Sequence, residues 1–112
     1  MIIKQIRGDT KQYNFTRLNS EGAAITTTPD AMYFTVKTSF DVQTPVFQKT
    51  LNNMEMDADG TWRFTVEASD TNNLSYGTYV YDVEVIDDGA VTTISRGKFI
   101  LEGESTWAVN EV

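Results

Sequence analysis

The run Gly77–Ile86, GTYVYDVEVI, alternates residue by residue: Tyr79, Tyr81, Val83 and Val85 share one parity, and Val80, Asp82, Glu84 and Ile86 the other. A strand sends successive side chains to opposite faces, so this spacing predicts a β-strand with one mostly apolar face and one mixed, wetter face. Asp82 and Glu84 fall on the wetter side of a half-buried antiparallel strand. That placement makes a solvated face the better account of the two carboxylates than a cation site or a glycosidase pair.

The same period of two recurs along the chain. It groups Tyr13 with Phe15, then Met32 with Phe34 and Val36 against Tyr33, Thr35 and Lys37, then Trp62 with Phe64 and Val66. A shorter strand through Phe47 and Lys49 is ambiguous in phase. The segment Ala90–Leu101 changes phase, and a β-bulge at Ser95 to Gly97 would bring Ile94 onto the face of Phe99 and Leu101. Turn signals separate these runs, the clearest being Asp88-Gly89 between two strong strands, a hairpin turn built on positive φ. Only Ala68–Leu74 suits a helical turn, with Ser69 or Asp70 as its cap. Seven or eight short strands with turns at intervals of about 8–12 residues predict an all-β, antiparallel sandwich. At 112 residues the chain forms one domain, residues 1–102, followed by a C-terminal arm, residues 103–112.

Composition narrows the chemistry. The chain has no cysteine and no histidine, which removes disulfides, thiolate ligands, thiol nucleophiles and the commonest acid–base side chain together. Serine and threonine are numerous, but no GxSxG motif or histidine activates them. An enzyme is therefore not expected, and neither is a cofactor. The net charge of −7 and nine scattered basic residues disfavour a nucleic-acid partner. No apolar run nears the roughly 20 residues that cross a bilayer, and MIIKQIRGD lacks a signal-peptide core. The expected product is a soluble protein made in the cytoplasm.

Leu74 to Val83 sharpens the fold. It looks like the start of the F strand in immunoglobulin-like and fibronectin-like domains, where a leucine anchors the preceding turn, a glycine allows the corner and a tyrosine hydroxyl bonds back to the loop. Leu74, Gly77 and Tyr79 take those places here. The cysteine pair and core tryptophan of antibody domains are absent as a set, so the sandwich is immunoglobulin-like by architecture alone.

The order RGDT (Arg7–Thr10), Tyr13 and Phe15, MYFTVKTS (Met32–Ser39), VFQKTL (Val46–Leu51), LSYGTYVYDVEV (Leu74–Val85) and RGKFIL (Arg96–Leu101) resembles a family of small tailed-phage proteins. These are immunoglobulin-like domains similar to the N-terminal domain of phage baseplate upper proteins, and the likeness spans roughly residues 3–102. The resemblance implies a virion structural or assembly role, with other phage tail or baseplate proteins as partners and a homo-oligomer as the assembled state. It implies residence in the virion after synthesis in the bacterial cytoplasm. Head decoration would use the same fold.

Each remaining motif has a bland reading beside a sharp one. Arg7-Gly8-Asp9 matches the integrin tripeptide, yet a bend at Gly8 with solvated flanks explains it better. Glu55–Gly60 suggests a calcium loop, but its ninth and twelfth positions would be Arg63 and Val66, so an Asp-Gly turn is preferred, with weak cation binding by Asp57 and Asp59 left open. Adjacent Asp87 and Asp88 point into water from a turn, and a cation there is likewise left open. Trp62 is expected in the core beside Phe64. Tyr33 and Tyr76, expected outward or at an edge, are candidates for stacking on a sugar, which keeps a carbohydrate-binding module as the alternative, with Tyr81 and Trp107 as further candidates for its platform. Trp107 and Val109 form a hydrophobic anchor on an acidic arm, suited either to docking on a neighbour or to folding back over the sandwich.

Overall fold

The structure, a computed structural model, describes residues 1–103. Eight strands form two sheets: β1 (Ile2–Ile6), β2 (Lys11–Thr16), β3 (Ala31–Lys37), β4 (Phe47–Thr50), β5 (Glu55–Met56), β6 (Thr61–Val66), β7 (Gly77–Asp87) and β8 (Ala90–Glu102). The larger sheet has the order β1-β8-β7-β3-β4, and the smaller has the order β2-β6-β5. This is the all-β sandwich that the alternation predicts. One pairing departs from the antiparallel expectation, because β1 runs parallel to β8, from Ile2 beside Lys98 to Ile6 beside Glu102. No local turn joins these strands, so the pairing is set by packing across nearly the whole chain.

The two sheets bury the residues that the period of two groups together. Met32, Phe34 and Val36 of β3, Trp62, Phe64 and Val66 of β6, and Tyr79, Tyr81, Val83 and Val85 of β7 all lie in the core, with Phe99 and Leu101 of β8. Phe34 is the hub. Its ring lies 4.6 Å from Phe64, 5.8 Å from Tyr81, 6.1 Å from Phe47, 6.2 Å from Tyr13 and 6.4 Å from Phe99, centroid to centroid. It therefore bridges both sheets and four strands of the large one's core face. Phe47 packs on this cluster, which settles the phase of β4, and Lys49 is held at its side by Asp70 at 2.7 Å. Trp62 is buried with its ring stacked on Phe15, and its indole N–H has no partner among the described residues.

The β7–β8 hairpin turns on Asp88 and Gly89, both at positive φ (54° and 79°), as a two-residue turn matched to strand twist requires. The bulge in β8 lies one step earlier than Ser95–Gly97. Val83 pairs with Ser95 and Glu84 with Thr93, which leaves Ile94 as the extra residue. Gly97 is needed for another reason. A Cβ there would run into the Met1 carbonyl oxygen, so glycine lets the start of β1 close on β8.

The corner before β7 has the tyrosine-corner geometry. The Tyr79 hydroxyl donates to the Ser75 carbonyl oxygen at 2.7 Å, Leu74 packs against the core, and Gly77 opens the strand. The preceding helical turn, α1 (Ala68–Thr71), is capped by Glu67 rather than by Ser69 or Asp70. Asp70 instead sits at the third helical position, where its carboxylate accepts the Glu67 N–H at 2.8 Å, the reciprocal half of a capping box.

The Phe34 hub and the Tyr79 bond differ in expected worth. Phe34→Ala should lower stability in urea unfolding by about 3–5 kcal/mol through lost transfer energy and a cavity between the sheets. Tyr79→Phe should cost about 1 kcal/mol, the net worth of one hydrogen bond. Equal losses would contradict this ranking.

Candidate functional site

The hairpin strands are long, 11 and 13 residues, while β1 has only five. β1 therefore lines only the second half of β8. Among the described residues, no strand lies beside Ala90–Arg96 on that side. The free stretch, AVTTISR, holds four consecutive β-branched residues, Val91 to Ile94, and all of it except Ser95 is exposed. It contains no proline and no lysine, two of the residues that natural edge strands use to block pairing. Besides one charged side chain, the bulge at Ile94 is the blocking device on this stretch. Its single charge, Arg96, rests on the Phe40 ring at 4.1 Å.

Below this edge the two sheets part. A groove of about 750 Å³ lies between β8 and β2, which is the edge strand of the small sheet. Its walls include Ile3, Tyr13, Phe15, Val83, Val85 and Ile94. The alternation that fills the core elsewhere lines an opening here, between the β2 edge of the small sheet and the part of β8 that β1 does not cover. The Tyr13 ring stacks on Phe64 at 5.5 Å, and its hydroxyl donates to the Gln5 side-chain oxygen at 2.6 Å. Burial pushes the Tyr13 phenol up to about 12.

Arg17, one residue past β2, also lines the groove and is 8% exposed. One terminal nitrogen of its guanidinium donates to the Thr27 carbonyl oxygen at 2.8 Å. Its Nε is buried without a hydrogen-bond partner, and no carboxylate among the described residues pairs with it. A buried cation without an anion is costly, because desolvation is not offset by a counter-charge. Nothing in the sequence singles Arg17 out, since an isolated arginine just past a strand, between Thr16 and Leu18, reads as solvated.

The other candidates separate. Arg7 is not a solvated flank: it is half-buried, its guanidinium covers the Tyr76 ring at 4.2 Å and reaches the Leu74 carbonyl at 3.4 Å. Gly8, at the bend with positive φ, donates to the hydroxyl of buried Thr71 at 3.0 Å, which ties the bend to the α1 corner, while Asp9 is an exposed flank as expected. Asp57 is taken by Arg63 at 2.7 Å, and the Asp59 carboxylate accepts the Thr61 N–H, a bond that lowers its pKa. No group of three or more potential metal ligands occurs among the described residues. Asp87 and Asp88 are exposed at the hairpin tip, where the Asp88 N–H donates to the Asp30 carboxylate at 3.0 Å.

Among the described residues the candidate aromatic side chains do not come together as a sugar platform. Tyr81 is buried and lies 3.2 Å from the Ser95 hydroxyl, Tyr33 is half-buried on the outer face of the large sheet, and one face of exposed Tyr76 is covered by Arg7. Trp107 and Val109 lie outside the described residues. No helix among the described residues is long and apolar enough to cross a membrane. No protein-family model matches the chain, and no curated protein matches it.

The shift at Tyr13 carries a sign. A phenol with a folded pKa above its unfolded value near 10 contributes stability that is present below pH 10 and lost as pH rises toward 12. Chemical unfolding measured from pH 9 to 12 should show that decline, and Tyr13→Phe should remove this part of it. An unchanged decline in the variant would contradict the burial of Tyr13.

Proposed function

We propose that the chain is a non-enzymatic structural component of a tailed-phage or prophage virion, acting in tail or baseplate assembly through protein–protein contacts. The observation that carries the reading is the open edge of β8 above an apolar groove. Exposed main-chain groups in a β-branched, proline-free edge accept a further strand, and an adjacent apolar groove takes that strand's alternate side chains. This is the equipment of a module that assembles. The resemblance of the strand-and-turn pattern to baseplate-type immunoglobulin-like domains supplies the context. The net charge of −7 agrees with a protein partner over a phosphate backbone.

Less supports the carbohydrate-binding alternative, since among the described residues Tyr81 is buried and Arg7 covers one face of Tyr76. Head decoration remains a placement of the same module on a different part of the particle.

Gold-conjugated antibody against the chain should label tailed particles purified from the encoding cells, at the tail or its distal end. Label on the capsid would move the module to head decoration. Particles free of label and of the chain by mass spectrometry would overturn the virion reading.

A further inference from the structure

The free edge of β8, the apolar groove beneath it and the unpaired Arg17 at its end describe one occupant. We propose that the groove receives the C-terminal arm of a second copy of this chain, lying as an added strand against Ala90–Arg96, with Trp107 and Val109 in the apolar part and Glu111 at Arg17. The inference rests on the reading of the chain as an assembly component and names the contact by which it assembles.

Three properties of the arm match three of the groove. In an extended strand, residues 107, 109 and 111 share one face, so this face reads tryptophan, valine, glutamate. Along β2 and just past it, Tyr13, Phe15 and Arg17 also lie at steps of two, so the groove reads aromatic, aromatic, cation over the same span of about 13 Å. The Glu111 carboxylate supplies the anion that buried Arg17 lacks, and a charge-assisted pair there offsets its desolvation. The backbone of the arm satisfies the outward N–H and C=O groups of β8. The groove's walls are mostly apolar, so covering them takes apolar surface out of water and favours an apolar guest.

Reach decides whose arm it is. Trp107 is four residues past Gly103, so its Cα extends at most about 14 Å from there, and Val109 about 20 Å. Arg96, the near end of the free edge, is seven residues back along β8, about 23 Å from Gly103. β1 also lies along β8 between the two. The chain's own Trp107 and Val109 therefore stop short of its own free edge, and the arm that lies against Ala90–Arg96 belongs to another copy.

The test uses full-length protein and light scattering over a concentration series. Wild type should show a mass of two or more chains at high concentration. The double variant Trp107→Ser, Val109→Ser should remain a single chain at the same concentration while keeping its cooperative unfolding. Glu111→Gln should weaken association by about tenfold or more, the worth of a charged hydrogen bond. A labelled peptide of residues 104–112 should bind the double variant, whose groove is intact, and should lose binding when Thr93→Pro is added at the β8 edge. If the proline variant does not fold, Arg17→Gln in the double variant serves instead, with weakened peptide binding expected. A wild type that stays monomeric, an oligomer that survives the arm substitutions, or a peptide that fails to bind would each overturn the proposal. Arm exchange in a chain that never labels particles would leave this contact standing and remove the virion reading; labelled particles with a monomeric chain would do the reverse.

Discussion

The β7–β8 hairpin outruns its neighbours, and the organisation of the molecule follows from that mismatch. Strands of 11 and 13 residues share a sheet with a five-residue β1 and a seven-residue β3. Where neighbours are present, the hairpin forms a conventional sandwich wall: β3 pairs along β7 from Ala31 to Lys37, and β1 closes the far side of β8 from Lys98 onward. Beyond the reach of β1, the same strand keeps its inward-facing side chains but has no strand on its open side among the described residues. Edge and groove are thus two consequences of one difference in length.

The aromatic cluster makes the unfilled portion sustainable. Phe34, Phe64, Tyr81 and Phe99 hold the sheets together at the level where β1 and β3 flank the hairpin. Aromatic side chains bury large areas and gain a further margin from tilted and edge contacts. Tyr13 and Phe15 extend the cluster toward the groove as half-covered rings, which is why the Tyr13 phenol is hard to ionise while still lining open space. The groove is a continuation of the core along the same walls, open among the described residues.

Local signals in the sequence were sufficient for local structure. The parity of Tyr79 to Val85 placed four side chains in the core, Asp88-Gly89 marked the hairpin, and Leu74 to Tyr79 marked the corner, because each depends on backbone geometry within a few residues. The bulge was legible as a phase change but not to the residue, since either side of Ser95 restores the parity of Phe99. Long-range features were not legible. Parallel pairing of β1 with β8, the burial of Thr71 against Gly8 and the packing of Arg7 on Tyr76 join segments more than sixty residues apart. The groove and the unpaired Arg17 arise between the β2 edge and the part of β8 that β1 does not cover, which no single stretch encodes.

Amide hydrogen exchange along β8 tests the central claim most directly, because it reads the edge itself. In dilute full-length protein the outward N–H groups between Val91 and Ser95 should exchange rapidly, while those of Phe99 to Leu101, flanked on both sides, should be slow. At concentrations where chains associate, the account predicts protection of the Val91–Ser95 amides with Phe99–Leu101 unchanged. Associated chains in which the Val91–Ser95 amides still exchange rapidly would contradict it.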